Sequence, residues 1–152
     1  MKYLTSILIG GLILFNCSCG TLSGFDSIHF SVGKDVLENA IDSLYNEFPQ
    51  YQIPPKWQKF DDWNKRGYGF LDARIFYFSK APEEMYYVTF IGDSTTQTSV
   101  TQSEIAIRAV SNGSERWYLE EDVKGSEKKR IQTRFKNEIV LKLEEFTQTH
   151  AY

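Results

Sequence analysis

Few residues in this chain have the type and spacing that chemistry requires. Histidine occurs twice, at His29 and His150, and no Gly-x-Ser-x-Gly elbow accompanies either. A nucleophile triad needs an imidazole held in a packed site, whereas His150 is third from the C-terminus, where chains fray. There is no His-Glu-x-x-His pattern, glycine-rich phosphate loop or dinucleotide fingerprint, so neither a metal nor a cofactor is expected. Carboxylates remain, as Asp61-Asp62, Glu83-Glu84 and Glu120-Glu121-Asp122. Two carboxyl groups held across a cleft can act as acid and base in glycoside hydrolysis, but neighbours on one loop or strand usually face water. Paired-carboxylate hydrolysis is therefore the alternative reading.

Two further features could bind rather than react. From Trp57 to Phe90 the chain carries 11 aromatic residues in 34. Such density can build a platform for a glycan, a peptide or another subunit, or line a cavity for a small apolar ligand. Trp57 and Trp63 stand out because they lie in a proline-flanked connection. Trp63 is flanked by Asp61, Asp62, Asn64, Lys65 and Arg66, which prefer water, so Trp63 is expected exposed and Trp57 structural. The second feature is a basic run, with Lys124, Lys128, Lys129, Arg130, Arg134 and Lys136 at the start of a helical pattern. Positive charge opposes the dipole there. The run is expected either to pair with Glu120, Glu121 and Asp122 just upstream or to meet an anionic partner such as lipid headgroups, with Arg130 and Arg134 on an outward face.

The only cysteines, Cys17 and Cys19, follow a stretch in which Lys2 is the sole charge and Leu4–Phe15 is almost wholly apolar. Twelve apolar positions are too few to span a bilayer, which needs about 20. A short basic start and an apolar core fit a secretory signal peptide, and two cysteines one residue apart do not readily close a disulfide. This segment resembles the signal of bacterial lipoproteins, in which a short lipobox ends at a lipid-bearing cysteine. Leu14-Phe15-Asn16-Cys17 has the apolar residue three positions before the cysteine but Asn where a small residue is usual. The alternative frame ends at Cys19, with Ser18 before it. The resemblance covers about the first 20 residues. It implies a membrane anchor through lipid on Cys17 or Cys19 and, with no Asp at Ser18 or Gly20, leans to the outer over the inner membrane.

Composition limits the rest. The chain has 152 residues, 17 Lys plus Arg against 20 Asp plus Glu, and a net charge of −3. No basic surplus of the kind nucleic-acid binding needs is present. Apolar residues at 41% suffice for one packed domain. Residues 1–16 read as signal peptide, 17–27 as lipid attachment and flexible tether, and 28–152 as a single α+β domain.

Within that domain Ile28–Val32 alternates as a short strand. Leu37, Ala40, Ile41, Leu44, Tyr45 and Phe48 recur at helical spacing behind an Asp35/Glu38 capping box. A long connection over 49–69, with a helical turn near Trp57–Lys65, leads to strands at Leu71–Ser79, Met85–Gly92, Thr98–Val110 and Arg116–Glu120. The last turn is marked by Asn112-Gly113. A helix over Ser126–Thr147 carries the stripe Ile131, Phe135, Ile139, Leu143 and Phe146. The expected fold is a two-layer α+β sandwich, a four-stranded antiparallel meander with helices at both chain ends. The expected function is that of a lipid-anchored envelope protein whose domain binds or scaffolds an envelope protein or glycan without catalysis.

Overall fold

A computed structural model describes residues 24–92, 101–114 and 116–152. Cys17, Cys19 and the expected signal lie outside these residues. The elements run β1 (Ile28–Phe30), α1 (Lys34–Glu47), β2 (Ala73–Phe78), β3 (Glu84–Phe90), β4 (Ser103–Ser111), α2 (Gly125–Phe135) and α3 (Leu141–Thr147). A π-helical turn at Lys136–Val140 joins α2 to α3 without a break. The fold is α+β: a four-stranded antiparallel sheet ordered β1-β4-β3-β2, with the helices on one face. Among the described residues no helix is long and apolar enough to cross a membrane.

The meander β2-β3-β4 follows the alternating aromatic and β-branched runs. The fourth strand, however, is the N-terminal one. Ile28–Phe30 pairs with Ser103–Ile105. Arg116–Glu120 forms only a bridge, in which Val110 and Tyr118 exchange both backbone hydrogen bonds (2.8 and 2.9 Å). Gly113, at φ +82°, turns the chain back as expected. The Asp122 carboxylate then accepts the Leu119 N–H at 3.0 Å and winds Glu120–Asp122 into a 3₁₀ turn, which ends the pairing.

The first helix begins two residues earlier than expected, with Gly33 at the cap and no capping side chain. Asp35 therefore lies inside the first turn, and Glu38 turns to Lys34 and Arg74 rather than to the cap. Leu37, Ile41 and Leu44 pack with Phe76, Tyr86, Ile105, Ile131, Phe135, Ile139 and Leu143 into the main core. Burial of such side chains contributes about 1.5–3 kcal/mol each. The π turn lets neighbouring Ile139 and Val140 both reach this core.

Candidate functional site

Alternation along the strands sends Tyr77, Met85, Tyr87 and Ala109 to the face away from the helices. The chain from Pro55 to Leu71 folds back over them. Trp57, in a 3₁₀ turn at Pro55–Phe60, meets Tyr77 edge-on at 5.6 Å. Trp63 stacks on Tyr87 at 4.0 Å, and Trp117 lies 5.3 Å from Trp63. The Trp117 Nε1 donates to the Phe60 carbonyl at 3.0 Å. Gly113 is required beneath Trp57, because a Cβ there would stand 2.9 Å from the indole.

Trp57 and Trp63 are both buried, each at 6% exposure. For Trp63 this corrects the expectation of an exposed ring. Its polar neighbours are satisfied in a local turn, where Arg66 pairs with Asp62 at 2.7 Å and donates its N–H to the Asp62 carbonyl. They take the solvent side and leave Trp63 the inward position. The Trp63 Nε1 is buried without an acceptor among the described residues.

In the basic start of the last helix Lys128 pairs with Glu120 as expected, but Arg130 and Arg134 are placed differently. Arg130 and Arg134 both reach Glu84, which is 3% exposed, and the Tyr86 hydroxyl donates to the same carboxylate at 3.0 Å. Arg134 further donates to Glu138 (3.0 Å) and to the Lys80 and Pro82 carbonyls (2.8 and 2.5 Å). Its side chain is 9% exposed. The pair thus clamps the β2–β3 hairpin to α2 instead of facing outward. Glu120 is bound by Lys128 and Asp122 by Arg116. A buried carboxylate must be paired, and Glu84 recruits both arginines across the fold.

The carboxylate runs are dispersed by the same kind of pairing. Glu83 binds Lys56 and Tyr77, Glu84 the two arginines, and Asp62 its own Arg66. Adjacent Glu83 and Glu84 thus take different partners. Asp61 and Glu121 are the members whose carboxylates make no hydrogen bond to a described residue.

Asp61 stands over a slot of about 420 Å³ at the outer edge of β2. Tyr45 of α1 forms one wall, Trp63 and Tyr87 the other, and Ile53 and Leu71 add apolar surface; Ala73 and Ile75 line it from the strand. Phe90 N–H donates to the Asp72 carbonyl at 3.0 Å, so the inward-paired residues of this ladder are Asp72, Arg74 and Phe76. Ala73 and Ile75 therefore turn their backbone groups outward. The Tyr45 hydroxyl donates to the Ile75 carbonyl at 2.9 Å and Arg74 to the Ala73 carbonyl at 3.0 Å. The outward N–H groups have no acceptor among the described residues. The opposite sheet edge is closed, because His29 and Tyr152 exchange both backbone hydrogen bonds (3.0 and 3.1 Å).

Asp61 and Arg74 are the charged residues lining the slot. Arg74 is held by Asp72 at 2.7 Å and Glu38 at 3.6 Å, and Lys34 binds Asp72 at 2.5 Å. Burial, and then the Asp61 charge, push the Tyr87 phenol up; burial also pushes up that of Tyr45, against the lowering effect of Arg74 and with a smaller rise from Asp42. Asp61 is thus the lining carboxylate that no cation among the described residues neutralises.

Of the residues expected to bind, Trp63 contributes a wall of this slot, while Trp57, Arg130 and Arg134 serve packing and pairing elsewhere. Tyr45 and Ile75 were hidden from sequence reasoning, since each fits a core pattern. Asp61 was visible only as one of a carboxylate pair. Comparison of the chain with protein-family models, with curated proteins and with solved structures finds no match.

Proposed function

We propose that this protein is a lipid-anchored component of the cell envelope, at the outer rather than the inner membrane, whose domain binds an envelope protein or glycan without catalysis. The slot beside β2 carries the reading. It has the size of a ligand site, apolar walls and a few unpartnered polar groups. Its rim is built on loops over a rigid sheet, the usual arrangement of a recognition surface. The lipobox-like segment ending at Cys17, or in the other frame at Cys19, supplies the anchor.

A photoreactive amino acid in place of the exposed Asn64, at the slot rim, tests the binding role in cells. It should trap an envelope component, whereas the same group in place of Lys129 on α2 should not. Equal capture at both positions, or none at either, overturns the reading. For the anchor, labelled palmitate should enter the protein and be lost in Cys17→Ala. Loss only in Cys19→Ala moves the attachment site, and retention in both variants refutes the anchor.

The alternative of carrying a small apolar ligand has one observation in its favour. A second cavity, of about 190 Å³, lies between β1, β4 and the π turn, lined by Ile28, Ile107, Phe135 and Val140. A small molecule retained in native mass spectrometry and displaced by Ala151→Leu would select this reading.

A further inference from the structure

We propose that the slot takes a short extended peptide bearing lysine or arginine, which adds as a further strand to the open edge of β2. This rests on the binding role proposed above and names the class of partner. Three observations converge on it. First, the N–H groups of Ala73 and Ile75 point outward from an edge strand and find no acceptor among the described residues. An edge of this kind is a template for strand addition, and peptide carbonyls are the acceptors that match it. The Ile75 carbonyl has a second lone pair beyond the one used by Tyr45, so it can still accept from a peptide N–H.

Second, the open stretch is bounded. Tyr51 packs edge-on against Phe78 at 5.9 Å, so the chain leaving α1 crosses the sheet edge at the Phe78 end. Ala73 and Ile75 remain accessible along the slot, room for about three or four residues of extended chain, since alternate residues pair. Tyr45, Ile53 and Leu71 then meet one side chain of the incoming strand.

Third, the charges select the partner. Asp61 and Arg74 line the slot; Arg74 is already held by Asp72 and Glu38, whereas Asp61 makes no hydrogen bond to any described residue. A cationic side chain beside the strand answers the unpaired Asp61 carboxylate, and an acidic one is repelled by it.

The probe is the peptide acetyl-Lys-Val-Lys-Val-Lys-amide, with its Glu-for-Lys counterpart, added to the full chain purified in detergent. The Lys peptide should bind about tenfold or more tightly than the Glu peptide at low salt, and lose that margin as salt rises. Amide hydrogen exchange at Ala73 and Ile75 should slow on binding, while amides of α2 stay unchanged. Asp61→Lys should weaken binding about tenfold. Ile75→Pro removes the outward N–H and should do the same, since proline is tolerated on an edge; if that variant fails to fold, the surface change Asp61→Lys still decides. Equal binding of both peptides, protection away from β2, or no binding overturns the inference. A chito-oligosaccharide separates the two levels. If it perturbs Trp63 fluorescence and the peptide does not, the peptide inference falls and the binding reading stands. If neither ligand acts and Asn64 captures nothing, both fall.

Discussion

The two faces of the sheet are closed in different ways. On one, regular helices lay down Leu37, Ile41, Leu44, Ile131, Phe135 and Ile139, all essentially buried and without polar side-chain atoms. On the other, 3₁₀ turns and loops lay down Trp57, Trp63 and Trp117 over Tyr77 and Tyr87. A helix delivers an apolar side chain every three or four residues, so medium-sized groups suffice. An irregular segment delivers few inward positions, and each must cover more area, which favours indole and phenol rings. Those rings bring polar atoms that need partners. Trp117 finds the Phe60 carbonyl and Trp63 finds no acceptor among the described residues. The irregular face also leaves a slot at its margin. Regular cover leaves a cavity of about 190 Å³ at its margin, and irregular cover one of about 420 Å³.

The largest expected effect lies on the helix face. Phe135→Ala should lower stability by about 3–5 kcal/mol, read from the urea midpoint at constant slope. On the lid, Trp63→Ala should cost about 3 kcal/mol, and Trp63→Phe within about 1 kcal/mol, because a ring remains and the unpaired donor is removed. A near-silent Trp63→Ala would break the comparison, showing the lid to be a flap that the sheet does not need. Between the faces, Arg134→Ala should cost about 2–3 kcal/mol by leaving Glu84 underpaired. Arg130→Ala should cost less, because that side chain is 31% exposed and solvent replaces part of the contact. Gly113→Ala should cost about 1–2 kcal/mol, from the left-handed backbone and the Trp57 contact together.

The last expected effect is absent at neutral pH. Burial, and then the Glu84 charge, push the Tyr86 phenol well above the ordinary tyrosine range. A group whose folded pKa is raised stabilises the fold while protonated in both states. Its contribution is therefore full below about pH 10, the unfolded tyrosine value, and is lost as pH rises toward the folded one. Stability should fall across that alkaline window, and Tyr86→Phe should flatten the fall. Absorbance of tyrosinate during the titration checks the assignment.

Residues near in sequence made much of the fold legible. The stripe Ile131–Leu143 and the face of α1 follow from a period of three to four residues, and β2, β3 and β4 from alternation and aromatic density. The lipobox-like segment is likewise a matter of local composition and order. Contacts between distant residues were not legible. Glu84 lies 46 residues from Arg130 and 50 from Arg134, and nothing in the helix pattern points to it. The charged flank of Trp63 predicts exposure, yet a local turn satisfies those charges and frees the ring to stack on Tyr87.

By itself, then, the amino-acid order determined which segments are helix and strand, since backbone geometry repeats every two or 3.6 residues and needs no distant partner. Tertiary structure decided which strand completes the sheet, which carboxylate receives the arginines, and which sheet edge stays open. Those outcomes depend on which buried charges and backbone donors find partners once the chain has closed.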